Sequence, residues 1–151
     1  MKKIDHKYEK FIKSLAALAR SIKLFSSPTA PEKFRTVLVT SLIKHYELCF
    51  ATSRQFLQIY LKQNYAMDVS TNRSKTIFKI CYDNNIIDKN TAQELLAIFK
   101  ARKATIYDYD EEKAYETCKR VSEYCETFKK LKNFIEKSGY SLPISIQENM
   151  L

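Results

Sequence analysis

The residues best suited to chemistry are crowded between Ala101 and Glu112, which read A-R-K-A-T-I-Y-D-Y-D-E-E. One arginine, two tyrosines and four acids stand in this stretch. Arg102 carries a planar fork of donors suited to a phosphate or a carboxylate. Tyr107 and Tyr109 carry phenols that can donate a hydrogen bond or accept a group on oxygen. Arg102 and Tyr109 are seven residues apart, two helical turns, so they share a face if one helix spans both. Asp108, with Glu111 three residues on, has the spacing of a capping box for a following helix. A plainer role is open for each group. Arg102 then neutralises the acids of the next helix, the tyrosines pack helix ends, and Asp108, Asp110, Glu111 and Glu112 answer the macrodipole of a first turn.

Other chemistries find less support. The chain has a single glycine, so no Gly-rich loop exists to cradle a phosphate. His6 and His45 are the two histidines, and neither has an acid three residues before it, so no inward Glu-x-x-His pair for a metal can be written. Cys49, Cys81, Cys118 and Cys125 contain no C-x-x-C pair, and each falls on an apolar stripe where a thiolate is disfavoured. They read as small core residues of a reducing compartment. No metal and no cofactor is expected. No signal-peptide core and no apolar run of membrane-spanning length is present, so a cytoplasmic protein without membrane contact is expected. The net charge of +9 permits attraction to nucleic acid or to an acidic partner. Only six of the 26 basic residues are arginine, however, and lysine spread over the whole chain equally describes a solvated surface.

Long helices must position these groups. With 45% apolar residues, one glycine and three prolines, the chain has few interruptions to offer. Ile4, Tyr8, Phe11, Leu15, Leu18, Ile22 and Phe25 recur at three and four, predicting a helix from Lys3 to Phe25. Pro28 and Pro31 break it. A second, longest helix is predicted from Glu32 to about Tyr65, with a wide stripe of Leu38, Leu42, Tyr46, Cys49, Ser53, Phe56 and Tyr60, broadened by Val39, Ile43, Phe50 and Leu57. His45 and Arg54 lie on or beside it as candidate buried polar groups. A short helix from Arg73 to Asn84, an apolar plug at Ile86-Ile87, and a fourth helix from Asp88 or Asn90 with Leu95, Leu96, Ile98 and Phe99 inward lead into Arg102. A fifth helix runs from about Tyr109 to Ser138, and Gly139 stands where a C-terminal cap belongs. The expected fold is all-α, an antiparallel up-and-down bundle of about five helices, with residues 1–139 as one domain and 140–151 as a weakly docked tail.

The chain from about Val37 to the fifth helix resembles the HEPN superfamily, in the branch of nucleotidyltransferase substrate-binding proteins. Lys44-His45-Tyr46-Glu47-Leu48-Cys49-Phe50 is similar to that family's aromatic and Glu-rich segment on the long helix. Asn72-Arg73-Ser74 echoes its Ser-Pro-Arg-like helix start, and Ile86-Ile87 its apolar pair after a turn. The most telling element is an Arg, usually followed by Asn, with a His five residues on and a Tyr two further; here Arg102 and Tyr109 match. Lys103 stands for the Asn, Tyr107 for the His, and Arg54 for the usual Trp of the long helix. The resemblance implies a homodimer that pairs with a minimal nucleotidyltransferase in a toxin–antitoxin-type system. It implies Arg102 and Tyr109 as a modification or nucleotide-binding pair, with AMP attached to the tyrosine. The alternative it implies is a metal-independent ribonuclease toxin, with RNA as substrate and Arg102 and Tyr107 as catalytic residues. Tyr107, with an ordinary pKa near 10, is a poor base in place of His, which ranks binding and modification ahead of catalysis.

Overall fold

The computed structural model describes residues 2–28, 32–107 and 110–140, with residues 104–107 described by their backbone alone. The described residues form α1 (Lys3–Phe25), a 3-10 turn (Glu32–Phe34), α2 (Arg35–Tyr65), α3 (Ser74–Asp83), α4 (Lys89–Tyr107) and α5 (Glu111–Lys137), with no strand among them. They make the expected antiparallel up-and-down bundle. α1 runs against α2 and α4 against α5. α2 and α5 lie side by side in the same direction, with Val39 at Cys118 near one end and Tyr60 at Ser138 near the other.

The heptad faces do the packing. Ile4, Tyr8, Phe11, Leu15 and Leu18 of α1 are buried against Leu42, Tyr46, Cys49, Phe56 and Leu57 of α2, and Val121, Cys125, Phe128, Leu131 and Ile135 of α5 close the same core. Helix propensity alone would leave these segments marginal in water, so burial of their apolar stripes is what holds them. Small hydroxyls appear where α1 and α2 approach closely. The Ser14 and Thr52 hydroxyls meet at 2.6 Å, and each also donates or can donate to a carbonyl of its own helix, so neither is buried without a partner.

Helix ends follow local chemistry, with adjustments of one to three residues. The long helix begins at Arg35 rather than Glu32, because Glu32–Phe34 winds as a tight 3-10 turn, a common form at helix starts. Leu38 is half-buried, and Val39 beside it takes the core position instead. α2 stops at Ala66, whose φ of 54° is left-handed, with Met67 N–H returning to the Leu61 carbonyl. Asn85 does the same after α3 at φ 60°, and Ile86 N–H reaches the Cys81 carbonyl at 2.9 Å. That turn drives Ile86 and Ile87 into the core as the expected plug. Asp88 then caps α4, accepting from Thr91 N–H at 2.8 Å. Gly139, at φ +103°, follows the cap of α5 and supplies a backbone angle that a side chain would strain.

Tyr140 packs firmly. Its ring lies 4.9 Å from that of Tyr8 and 5.5 Å from that of Phe56, and its hydroxyl donates to the buried Asp5 carboxylate at 2.6 Å. The remainder of the expected tail, 141–151, lies outside the described residues.

All four cysteines are free and buried. Burial pushes the Cys81 and Cys118 thiols up to about 12 and raises Cys49 and Cys125 as well. A thiol-disulfide exchange reagent at pH 8 is therefore expected to label none of the four in the folded protein and all four in denaturant. Rapid labelling of any one under native conditions would contradict its placement in the core.

Candidate functional site

Arg102 is a half-buried residue near the end of α4, held over the aromatic face of α2. Its guanidinium carbon is 5.0 Å from the centroid of the Phe50 ring, within cation–π range. Three features place it there. Tyr46, one turn before Phe50, donates its buried hydroxyl to the Ile98 carbonyl at 2.7 Å, which pins α4 to α2 one turn before Arg102. The Phe50 ring is itself fixed, edge-on to Phe78 of α3 at 5.9 Å and stacked on Phe99 of α4 at 6.1 Å. Tyr46 is also stacked on Tyr124 of α5 at 5.6 Å. The arginine thus rests on a platform assembled from four helices.

Glu47 supplies the charge beside it. Partial burial raises the Glu47 carboxyl above its ordinary value, and the Arg102 guanidinium pulls it back down. The same guanidinium acts on the Tyr46 phenol, which burial raises far more strongly. Glu47 and Arg102 are thus opposite charges that act on one another from half-buried positions, where Coulomb attraction is less screened than on the open surface. A phosphate or carboxylate group is what an arginine fork binds in bidentate fashion.

The other expected site residues are placed as follows. Tyr107 is the last residue of α4, and its side chain lies outside the description. Tyr109 lies outside the described residues, and so does the expectation that it shares a helix face with Arg102. Asp108 lies there too, and the capping residue of α5 is Asp110. Its carboxylate accepts from Glu112 N–H at 2.9 Å and Lys113 N–H at 3.3 Å, so the expected capping box of Asp108 and Glu111 gives way to an aspartate two residues later. Asp110 is the residue whose side chain immediately precedes the helical run, and an N-cap must stand there to reach the N2 and N3 donors. Asp110→Ala is expected to lower stability by about 1 kcal/mol, read from chemical denaturation. An unchanged midpoint would remove the cap assignment.

His45 is not part of this constellation. Its Nδ1 sits 2.8 Å from the Ser41 carbonyl and 2.9 Å from the Ser21 hydroxyl, so the ring is satisfied against α1. Arg54, at the position of the expected Trp, donates from Nη2 to the Asn72 carbonyl at 3.0 Å and ties α2 to the start of α3. Among the described residues there is no group of three His, Cys, Asp or Glu side chains able to hold a metal, and no helix is long and apolar enough to cross a membrane. Glu47 and Phe50 are the residues that spacing alone missed as site residues. The available signal was an acid at the edge of an unusually wide apolar stripe, beside Tyr46 and Phe50.

Residues 6–137 match the family model described as nucleotidyltransferase substrate binding protein like. The chain belongs to that family, whose fold is HEPN-like. Two solved structures are similar in fold. One is a protein of Thermus thermophilus, with a TM-score of 0.70, 19% identity, and coverage of 83% of this chain and 98% of that one. The other is a tri-AMPylated HEPN toxin of Shewanella oneidensis in complex with MNT antitoxin, with a TM-score of 0.69, 18% identity, and coverage of 91% and 99%. No curated protein matches the chain in sequence.

Proposed function

We propose that the protein is the substrate-binding partner of a minimal nucleotidyltransferase in a two-component, toxin–antitoxin-type system, and that it accepts AMP on Tyr109. The observation that carries this reading is Arg102 held on its aromatic platform, near the end of the helix that precedes Tyr109, in a chain of this family. Arg102 would bind the phosphate of the incoming nucleotide. The Tyr109 phenol oxygen would attack the α-phosphorus of ATP, pyrophosphate would leave, and the phenol would give up its proton. The AMPylated state of the Shewanella oneidensis toxin supports a chemistry of this kind on the same fold. A homodimer is the proposed assembly, in the cytoplasm, with residues 1–139 acting as one domain.

Tyr107 argues against the ribonuclease alternative. A phenol that keeps its proton at neutral pH is a weak base where a histidine would serve. The experiment incubates the purified chain with its nucleotidyltransferase and α-labelled ATP, and separately with RNA in chelator. Label on the protein and intact RNA support the proposal. Unlabelled protein together with Arg102-dependent RNA cleavage would replace it with the nuclease.

A further inference from the structure

The end of the bundle where α1 stops and α2 begins presents apolar side chains to solvent. Leu24 is 62% exposed, Val37 65% and Phe34 47%. Single exposed apolar residues need no explanation, but a cluster of them marks an interaction surface. Leu24 near the end of α1 and Phe34 and Val37 at the start of α2 stand at the same end of the bundle. Ser21 of α1 touches His45, and His45 touches the Ser41 carbonyl. Leu24, one turn beyond Ser21, therefore comes alongside the first turns of α2. Val37 is one turn before Ser41, and Phe34 is the residue that opens α2.

The chain around this patch is mainly basic. Arg20, Lys23 and Lys33 are exposed there and make no ion pair among the described residues, with Glu32 the one acid of the segment. The Lys33 ammonium lies 5.3 Å from the Phe34 ring centroid, so a cation and an aromatic face are offered together. A second copy of a chain with net charge +9 would bring like charges onto this face. An acidic partner would meet them with opposite charge.

We infer that this surface docks an acidic partner protein, which seats an apolar side chain on Leu24, Phe34 and Val37 and sets carboxylates against Arg20, Lys23 and Lys33. Under the function proposed above, on which this inference rests, that partner is the nucleotidyltransferase. The position suits the task. The Thr36 hydroxyl, one residue before Val37, donates to Glu111 at 3.0 Å, and Glu111 is the first residue of α5. A partner held here stands beside the start of α5, the helix that follows Arg102 and Tyr109 in the chain.

The test titrates the full-length chain with the purified nucleotidyltransferase by calorimetry, at low and high salt. The Leu24→Asp/Val37→Asp double variant is expected to lose at least about tenfold in affinity, the scale of an interface anchor. Lys23→Glu/Lys33→Glu is expected to weaken binding and flatten its salt dependence. These side chains are exposed, and an unchanged thermal melt confirms that each variant is folded. Wild-type affinity in the folded double variant would overturn the docking surface. So would a double variant that splits a homodimer while its affinity for the nucleotidyltransferase stays intact. If the wild-type chain itself fails to bind the nucleotidyltransferase, the functional proposal falls first, and that outcome is separate from the other two.

Discussion

Phe50→Ala is expected to destabilise the folded protein by about 3–5 kcal/mol, the usual cost of deleting a buried aromatic ring. Phe50 is almost completely buried, and its ring contacts α3 through Phe78 and α4 through both Phe99 and Arg102. Few residues join so many elements, so the cavity has little freedom to collapse. Most marginally stable domains would lose a large part of their stability to one such change. Denaturant titration measures the effect, and Phe50→Leu serves as the volume-sparing control with a smaller loss expected. A loss below about 1 kcal/mol for the alanine variant would mean that the ring does not organise the platform.

Arg102→Ala is expected to have the largest functional effect, lowering nucleotide transfer to the protein by about a hundredfold, the scale set by removing one charge-stabilising donor. Arg102→Lys keeps the charge but not the fork, and recovers only part of the loss. The alanine variant also carries a pH signature through Glu47. The Glu47 carboxyl is already raised by burial, and Arg102 is the group that lowers it. Removing the guanidinium raises it further. For an acid whose folded pKa lies above its unfolded value, the stabilising contribution is full at pH below the unfolded pKa and is lost as pH rises through the folded one. The variant is therefore expected to lose stability relative to wild type as pH rises from the ordinary carboxyl range toward neutrality. Glu47→Gln in the Arg102→Ala background abolishes that dependence. A pH-independent difference between Arg102→Ala and wild type would separate the two side chains.

Much of the architecture is legible in the sequence because burial writes it there. The heptad of α1 and the near-heptad of α5 name their buried residues almost one for one, since a helix can hide only the stripe that recurs at three and four. Gly139 and the Ile86-Ile87 plug are legible for a related reason, since each is a residue type that the local backbone or the core requires. Helix starts are less so. Asp108 and Asp110 are the same residue type two positions apart, and either satisfies a spacing rule; only the actual onset of α5 selects Asp110. The choice of Val39 over Leu38 likewise turns on the rotation of α2, which apolar character alone does not set.

The candidate site divides in the same way. Arg102 stands out in the sequence as an arginine beside paired tyrosines. Its partners do not, because they lie on α2, more than fifty residues earlier, and are joined to it only by the packing of α4. Glu47 looks like one of many surface acids until Tyr46 locks α4 beside it. His45, an obvious candidate by residue type, proves to be held by Ser21 and Ser41 on the side toward α1.

The most direct measurement of the central claim is tandem mass spectrometry of the protein after reaction with its nucleotidyltransferase and ATP. An AMP adduct is expected on the peptide that carries Tyr109, localised to its phenol oxygen and absent in Tyr109→Phe. An unmodified Tyr109 in a reaction that contains active enzyme, or undiminished AMP incorporation into Tyr109→Phe, would contradict it.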